Sequence, residues 1–96
     1  DTLNGGAGND LLDGGGGNDT FVFVGGFGVD TITGFNTASA SEFIDLSGVA
    51  QITDFTDLSL NHLSEVAGNA VISVGANSIT LIGIAAASLT AGDFLF

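Results

Sequence analysis

The sequence contains no lysine, arginine, cysteine or proline among its 96 residues, yet it carries 11 acidic residues and a formal net charge of −11. Without basic side chains the protein cannot neutralise phosphate groups, which excludes nucleic acid as a partner and argues against an anionic membrane surface. The absence of cysteine excludes disulfide bonds and leaves the redox compartment open. No acidic residue can pair with a lysine or arginine of the chain, so a bound cation must offset the repulsion wherever carboxylates converge.

Long apolar stretches are also missing, because glycine, serine or asparagine interrupts each of them. We therefore expect no membrane-spanning helix. The hydrophobic content of 45% nevertheless argues against a disordered chain. The polar, glycine-rich start without methionine does not resemble a Sec-type signal peptide, and it suggests a fragment of a longer protein. A single domain of this size buries only a modest hydrophobic core and usually needs additional stabilisation from disulfides, a bound metal or a partner. Disulfides are excluded here, and a bound metal is the source of stabilisation that the sequence offers.

Glycine is abundant, and much of it lies in three copies of the pattern Gly-Gly-x-Gly-x-Asp, at residues 5–10, 14–19 and 25–30. The first two copies follow each other at nine residues, and residues 1–3 read as the end of an earlier copy. A glycine run exposes main-chain carbonyl groups, and the closing aspartate adds a carboxylate. Oxygen donors of this kind suit calcium, so the repeat predicts stacked turns that bind this ion.

The apolar residues keep a fixed position in the repeat. Leu3, Leu12, Phe21 and Ile32 each lie two residues after an aspartate that closes a copy. They are predicted to share one phase and to stack in a common interior. Two units make one turn, so loops on one side recur every 18 residues. Asp10 and Asp30 are 20 apart, which predicts two extra residues in the strand 20–24.

Residues 35–96, the second part of the chain, have a different sequence pattern. Alternation and β-branched residues predict strands at residues 41–46, 58–66, 70–74 and 78–84, with a last short strand at 94–96. Short helical turns are expected at 47–49 and 88–91. We expect residues 1–34 to form the repeat region and residues 35–96 to form a cap, largely an antiparallel sheet that covers the open end of the repeats, with the two parts making one continuous domain.

At this point the residues resemble a known family. The hexads, the segments Asp19-Thr20-Phe21-Val22-Phe23 and Asp30-Thr31-Ile32-Thr33-Gly34-Phe35, and Phe43-Ile44-Asp45-Leu46-Ser47 resemble the C-terminal β-roll domain of RTX (hemolysin-type calcium-binding) proteins. The most similar subgroup is the domain at the C-terminus of serralysin-type metalloproteases and related type I secreted enzymes. The segments 78–84 and 88–96 are similar to that family as well.

The resemblance implies an all-β fold, a parallel β-roll with Ca²⁺ between its turns. It also implies carboxylate ligands at the closing aspartates, main-chain carbonyl ligands from the glycines of each copy, and a partial loop at the start. The implied metal residues are Asp1, Gly5, Gly6, Gly8, Asp10, Gly14, Gly15, Gly17, Asp19, Gly25, Gly26, Gly28 and Asp30. Relatives often carry an acidic residue where this chain has Gly34, so a ligand at that position is lost.

The remaining polar residues are given simpler roles. Asp13, Asp54, Asp57, Glu42 and Glu65 are expected to be solvated surface charges. Asp45 lies inside a strand pattern, with a role as a ligand or a turn cap as the less favoured alternative. His62 is the only histidine, and with no cysteine a zinc site is not expected. Ser47 and Ser73 lack the Gly-x-Ser-x-Gly setting of a nucleophile. The chain itself is therefore not expected to be an enzyme, although a parent protein can be one.

The leading functional hypothesis is a calcium-dependent folding and type I secretion domain at the C-terminus of an exported, extracellular bacterial protein. The partners it implies are calcium ions, a type I exporter that reads the C-terminal segment Asp93-Phe94-Leu95-Phe96, and an N-terminal catalytic or effector domain of the parent chain, without membrane insertion. The alternative is an extracellular glycan-binding or adhesin module built on the same calcium β-roll.

Overall fold

The computed structural model describes residues 1–37 and 41–96, and the described part folds into two sheets that enclose one apolar core. The strands follow in chain order: β1 (Thr2–Leu3), β2 (Leu11–Asp13), β3 (Thr20–Val24), β4 (Val29–Thr33), β5 (Phe43–Gly48), β6 (Leu63–Val66), β7 (Asn69–Val74), β8 (Asn77–Leu81) and β9 (Phe94–Leu95). The first sheet has the order β1-β3-β5-β9, and the second has the order β2-β4-β8-β7-β6.

The strands β1 to β5 alternate between the two sheets, so this part of the chain coils as a roll. The pairs β1–β3, β3–β5 and β5–β9 are parallel in the first sheet, and β2–β4 and β4–β8 are parallel in the second. The strands β6, β7 and β8 pair antiparallel and extend the second sheet at its edge. The predicted fold class, a parallel β-roll followed by an antiparallel β segment, is confirmed.

The register matches the repeat spacing. Thr2 pairs with Thr20, an offset of 18 residues, whereas Leu11 pairs with Thr31, an offset of 20. The strand β3 has five residues where β2 has three, and this accounts for the two extra residues. Parallel pairing continues past residue 34 through β5, β8 and β9, which places the second part of the chain in the same roll.

The interior contains the residues that the repeat phase indicates. Phe21 and Ile32 are fully buried, Leu12 is buried, and Leu3 packs against the cluster at its edge. The antiparallel part and its neighbours supply further fully buried side chains. These are Ile44, Leu46, Leu58, Ala70, Ile72, Ile79 and Leu81. Most of the apolar core therefore comes from residues after the hexads.

The expected strand at 58–66 is wrong in its first half. Residues Phe55–Asp57 form one α-helical turn and Leu58–His62 a π-helical turn, and only Leu63–Val66 is extended. Local hydrogen bonds favour the helical turns, because Asp54 Oδ1 accepts the N–H of Asp57 at 2.7 Å and Asn61 Nδ2 donates to Asp57 Oδ1 at 2.8 Å.

The expected helical turn at 47–49 is also wrong, since β5 runs to Gly48 and only a tight turn follows. Short 3₁₀ turns lie at Ala86–Ser88 and Ala91–Asp93, close to the expected position. No helix in the described ranges is long and apolar enough to cross a membrane.

Two rows of loops lie at opposite ends of the strands. The first loop row contains residues 5–10 and 25–30 and continues into the turn 75–77 before β8. The second loop row contains residues 14–19 and, on the next turn, Glu42 directly before β5. Each row therefore stacks connections from successive turns of the roll.

Candidate metal centre

The three hexad loops share one backbone conformation. The second and the fourth residue of each hexad are glycines with positive φ angles. These are Gly6 (73°), Gly8 (98°), Gly15 (69°), Gly17 (88°), Gly26 (77°) and Gly28 (87°). This left-handed region is open to glycine and costly for other residues. The repeat of the pattern in all three copies shows that the sequence motif encodes one loop geometry.

The first glycine of a hexad has a different reason to lack a side chain. A Cβ atom placed on Gly5 would overlap the carboxylate of Asp10, and one placed on Gly14 would overlap the carboxylate of Asp19. Each of these aspartates thus folds back over the start of its own loop. The third loop differs, because the corresponding position at Gly25 faces open space.

The closing aspartates are withdrawn from solvent. Asp19 and Asp30 are each 1% exposed, and Asp10 is partly buried. The Oδ2 atoms of Asp10 and Asp19 are buried without a hydrogen-bond partner in the described part of the chain. Burying a carboxylate oxygen without a partner costs free energy that a coordinated cation would recover.

The other oxygen of each buried aspartate binds the preceding turn of the roll. Asp30 Oδ1 accepts the main-chain N–H of Asp10 at 2.9 Å, and Asp19 Oδ1 accepts from the main-chain nitrogen of Asp1 at 2.9 Å. Burial raises the pKa of Asp30, and the charge of Asp10 adds to this effect even though the Asp10 N–H lowers the pKa. Two ionised carboxylates about 4–5 Å apart repel by roughly 3–4 kcal/mol at an effective dielectric near 20.

These observations fit a hard cation with oxygen ligands. In residues 1–37 and 41–96 no three side chains of the His, Cys, Asp and Glu types converge on a point. An ion at the hexads must therefore take most of its ligands from main-chain carbonyls, with few carboxylates, which is a donor set that calcium accepts. The thirteen implied ligands stay a prediction. Among them, the Gly28 carbonyl already accepts the N–H of Ser78 at 2.9 Å.

Side chains before and between the hexads support the loops, and the sequence analysis missed their part. Asn4 Oδ1 accepts the N–H of Gly6, and Asp13 Oδ1 accepts the N–H of Gly15, each at 2.9 Å. Asn9 Oδ1 joins the two loops of the first row by accepting the N–H of Val29 at 3.1 Å. An Asn or Asp directly before a glycine pair is the signal for such turns, since its side chain bonds the backbone two residues on.

The main chains of the two hexad loops in the first row are in close contact. A Cβ atom on Gly28 would overlap the Gly8 carbonyl, so the two loops touch where only hydrogen fits. On the other side, Gly28 donates its N–H to Asn77 Oδ1 at 3.0 Å. An asparagine side chain thus takes the place that a third hexad loop of this row would occupy.

The remaining polar residues follow the simpler expectations with one exception. Asp13, Asp54 and Glu65 are exposed, and Asp45 caps a turn by accepting from Ser47 N at 2.9 Å. Glu42 is only 2% exposed and accepts the N–H of Asn36 at 3.1 Å, so its assignment as a solvated charge is wrong. The register of β5 against β3 places the Glu42 side chain in the protein interior.

Two residues of the second part have structural contacts of their own. His62 Nδ1 lies 2.8 Å from the Ser73 carbonyl, and its Nε2 lies 3.7 Å from Asp57. Asp93 is 3% exposed and forms a capping box with Thr90 at the start of the last 3₁₀ turn. The contacts described for both residues lie within the second part of the chain.

The glycine-rich loops and the parallel strand pairing are features of a known type of sequence repeat. The family model of the RTX calcium-binding nonapeptide repeat (4 copies) matches residues 1–32, and RTX nonapeptide repeats bind Ca²⁺. Residues 1–32 therefore carry RTX calcium-binding nonapeptide repeats, in a chain whose described residues fold as a β-roll. No curated protein sequence matches it.

A particular solved structure has the same fold. The extracellular lipase LipA from Serratia marcescens superimposes with a TM-score of 0.77 and 28% sequence identity over 99% of the chain. The chain spans only 14% of that lipase. The likeness thus extends over the RTX repeats and the antiparallel part together, and it concerns a small part of a much longer protein.

Proposed function

We propose that this chain is a calcium-dependent folding and secretion module at the C-terminus of a longer exported bacterial protein. The observation that carries the proposal is the pair of buried Oδ2 atoms of Asp10 and Asp19, which lack partners in the described residues of a chain without lysine or arginine. Calcium between the stacked hexads supplies the missing positive charge. The ligands are the closing carboxylates and main-chain carbonyls of the hexads.

The mechanism couples metal binding to folding. Where free calcium is scarce, the carboxylates repel each other and the glycine loops have high conformational entropy, so the chain stays unfolded enough for transport. At extracellular calcium levels even sites with dissociation constants of about 10⁻⁴–10⁻³ M fill. An ion at ten times its dissociation constant stabilises the fold by about 1.4 kcal/mol per site.

Circular dichroism during a calcium titration tests the coupling. We expect the far-UV β signal of the 96-residue chain to increase with calcium and to stay unchanged with magnesium, which fits poorly into a site of carbonyl groups. The Asp10→Asn variant should need more calcium. The control Asp45→Asn removes one charge away from the hexads and keeps an oxygen for Ser47. A spectrum indifferent to calcium and to chelator contradicts the proposal.

The C-terminus is the proposed contact with a type I exporter. In the folded chain Asp93 and Phe94 are buried, and Phe94 pairs with Ile44, whereas Leu95 and Phe96 are 41% and 39% exposed. The full four-residue segment is thus accessible only before folding. This supports a sequence of events in which the exporter reads the segment first and calcium then folds it into the roll.

A reporter protein fused before the chain tests this contact in bacteria that have a type I exporter. Replacing the exposed Leu95 and Phe96 by asparagine should reduce export and leave the calcium titration unchanged. Unchanged export of that variant would count against the C-terminal signal. The activity of the parent protein is a separate question, since the proposed N-terminal catalytic or effector domain lies outside this sequence.

A further inference from the structure

Asn4 and Asp13 occupy the same position, directly before the glycine pair of the first and the second hexad. Asn4 Oδ1 accepts the main-chain N–H of Gly6 at 2.9 Å. Asp13 Oδ1 accepts the main-chain N–H of Gly15 at the same distance of 2.9 Å. The two loops therefore begin with the same turn, closed by an amide in the first and by a carboxylate in the second.

The residue after Asn4 determines how reactive its side-chain amide is. Asn4-Gly5 is the only asparagine–glycine pair of the sequence, and the other six asparagines precede residues with side chains. The main-chain nitrogen of a glycine is the least hindered nucleophile toward the preceding amide, and the flexible backbone lets it approach to the reactive distance of about 3–3.5 Å. Asn4 and Gly5 are both exposed, so water reaches them.

We propose that Asn4 is the site of a spontaneous covalent modification, which takes place in the unfolded chain and is suppressed by the fold. The Gly5 nitrogen attacks Cγ of Asn4 and forms a new N–C bond. The bond between Cγ and Nδ2 breaks, and ammonia leaves with the proton of the Gly5 nitrogen. Water then opens the five-membered imide at either of its carbonyl carbons. One opening gives aspartate and the other gives isoaspartate, each with one additional negative charge.

The folded loop keeps the reacting groups apart from this path. The hydrogen bond from Gly6 holds Oδ1 of Asn4, so the side chain cannot turn freely to present Cγ to the Gly5 nitrogen. Gly5 packs against the Asp10 carboxylate so closely that a Cβ atom would overlap it. Directly before Asn4, β1 is paired with β3. Ring closure moves all these groups, so it requires that the loop opens.

The two products have different consequences for the first loop. An aspartate at position 4 reproduces the side chain of Asp13 and can still accept the Gly6 N–H. Isoaspartate adds one carbon to the main chain between β1 and the loop, which displaces Gly5 from its place beside the Asp10 carboxylate. A chain that stays unfolded for long thus accumulates a form that folds less readily. This timing rests on the proposed coupling of folding to calcium, whereas the reaction itself does not.

Peptide mapping of the 96-residue chain tests the site. The protease that cleaves before aspartate is suitable, because the chain has no lysine or arginine for trypsin. Samples are incubated at mildly alkaline pH in urea, in chelator and in calcium, and are then digested. The unmodified chain gives the peptide of residues 1–9. An aspartate at position 4 creates a new cleavage site, whereas isoaspartate resists the protease and leaves the peptide 1–9 with the mass of the acid.

We expect both products to form rapidly in urea. An ion at ten times its dissociation constant lowers the unfolded fraction about tenfold, and modification of an opened chain follows that fraction. Conversion should therefore be at least about tenfold slower in calcium than in chelator. The control Asn4→Gln keeps an amide but needs a larger ring, so it should stay unconverted in urea.

The outcomes separate this site from the calcium coupling. Absence of conversion of Asn4 in urea overturns the site, and conversion in calcium as fast as in urea overturns its protection by the fold. Fast conversion in urea with equally slow conversion in calcium and in chelator supports the site and contradicts the proposed coupling of folding to calcium. Circular dichroism of the same samples reports which of them are folded.

Discussion

The two loop rows begin alike and end differently. In the first row Asp10 and Asp30 are followed, at the same register position, by Ile79, which is fully buried. In the second row Asp19 is followed by Glu42, which is buried but acidic. The first row thus has an apolar side chain in the turn after its last hexad, whereas the second row has an acidic residue in the turn after its last hexad.

The difference shows what ends a row of ion sites in a roll. In the first row Asn77 accepts the Gly28 N–H, and Ile79 fills the interior where a third carboxylate would stand. The row then needs no further cation, and the sheet continues as an antiparallel hairpin. If the hexads bind calcium as we propose, Asn77 and Ile79 end the row of sites with a neutral amide and an apolar side chain.

The largest effect is expected for Ile79→Asp, which would give the first row a third carboxylate. Losing the apolar side chain costs about 2–5 kcal/mol, and burying an unpaired charge adds several kcal/mol. Together these costs approach the total stability of a small domain, so the variant should need far more calcium than the parent chain to gain its β signal in circular dichroism. Ile79→Val should cost only about 0.5–1.5 kcal/mol. An Ile79→Asp chain that folds at the same calcium concentration as the parent chain would contradict this account of the row end.

An intermediate effect is expected for Gly28→Ala, which affects the contact between the two loops of the first row. The residue has a φ angle of 87°, and a Cβ atom would overlap the Gly8 carbonyl. Left-handed strain of about 1–2 kcal/mol and overpacking of about 1–3 kcal/mol should lower the free energy of unfolding in urea by about 2–5 kcal/mol.

The matched control for that substitution is Gly16→Ala in the second row. Gly16 is not among the residues with positive φ, and a Cβ atom there meets no atom within 4 Å. Its free energy of unfolding should change by less than about 1 kcal/mol. Similar losses at the two glycines would show that the close approach in the first row has no energetic weight.

The smallest effect is a pH dependence that comes from Asp30. Burial, with the charge of Asp10, raises its pKa in the folded chain above the ordinary value of 3.8. The ionised form therefore destabilises the calcium-free fold at neutral pH, and protonation relieves this penalty as the pH falls through the raised pKa. Circular dichroism in chelator should show the β signal increasing from pH 7 to about pH 4, near the unfolded pKa of Asp30, as protonation removes its penalty. Asp30→Asn should lack this gain; an identical pH profile for the variant would contradict the assignment.

The sequence was sufficient to predict the structural features that the repeat pattern itself determines. The spacing of the closing aspartates predicted the offset of 20 residues and the longer strand Thr20–Val24, and the phase predicted Phe21 and Ile32 as core. These features follow from local periodicity, which a single sequence displays directly.

Other features depend on contacts that the sequence does not display. Glu42 is buried because β5 aligns with β3 across a connection without a hexad, so its position follows from tertiary register and not from a motif. The π-helical turn Leu58–His62 replaced a predicted strand because side-chain caps from Asp54 and Asn61 outweighed the β-like pattern. Asn77 closes the first row through a contact with Gly28, 49 residues earlier in the chain.

The strand pairing also has a consequence for the order of folding. Val74 pairs with Asn77 across a short turn, whereas Thr2 pairs with Thr20, Asp30 with Ile79 and Ile44 with Phe94. Closing a longer loop costs more entropy, so we expect the β7–β8 hairpin to form early and the parallel turns to assemble on it later. Stopped-flow mixing with calcium should then give a fast phase whose rate is insensitive to calcium and a slower phase that accelerates with it. In kinetic terms, we expect the part of the chain without hexads to act as the template and the hexad turns to be added last.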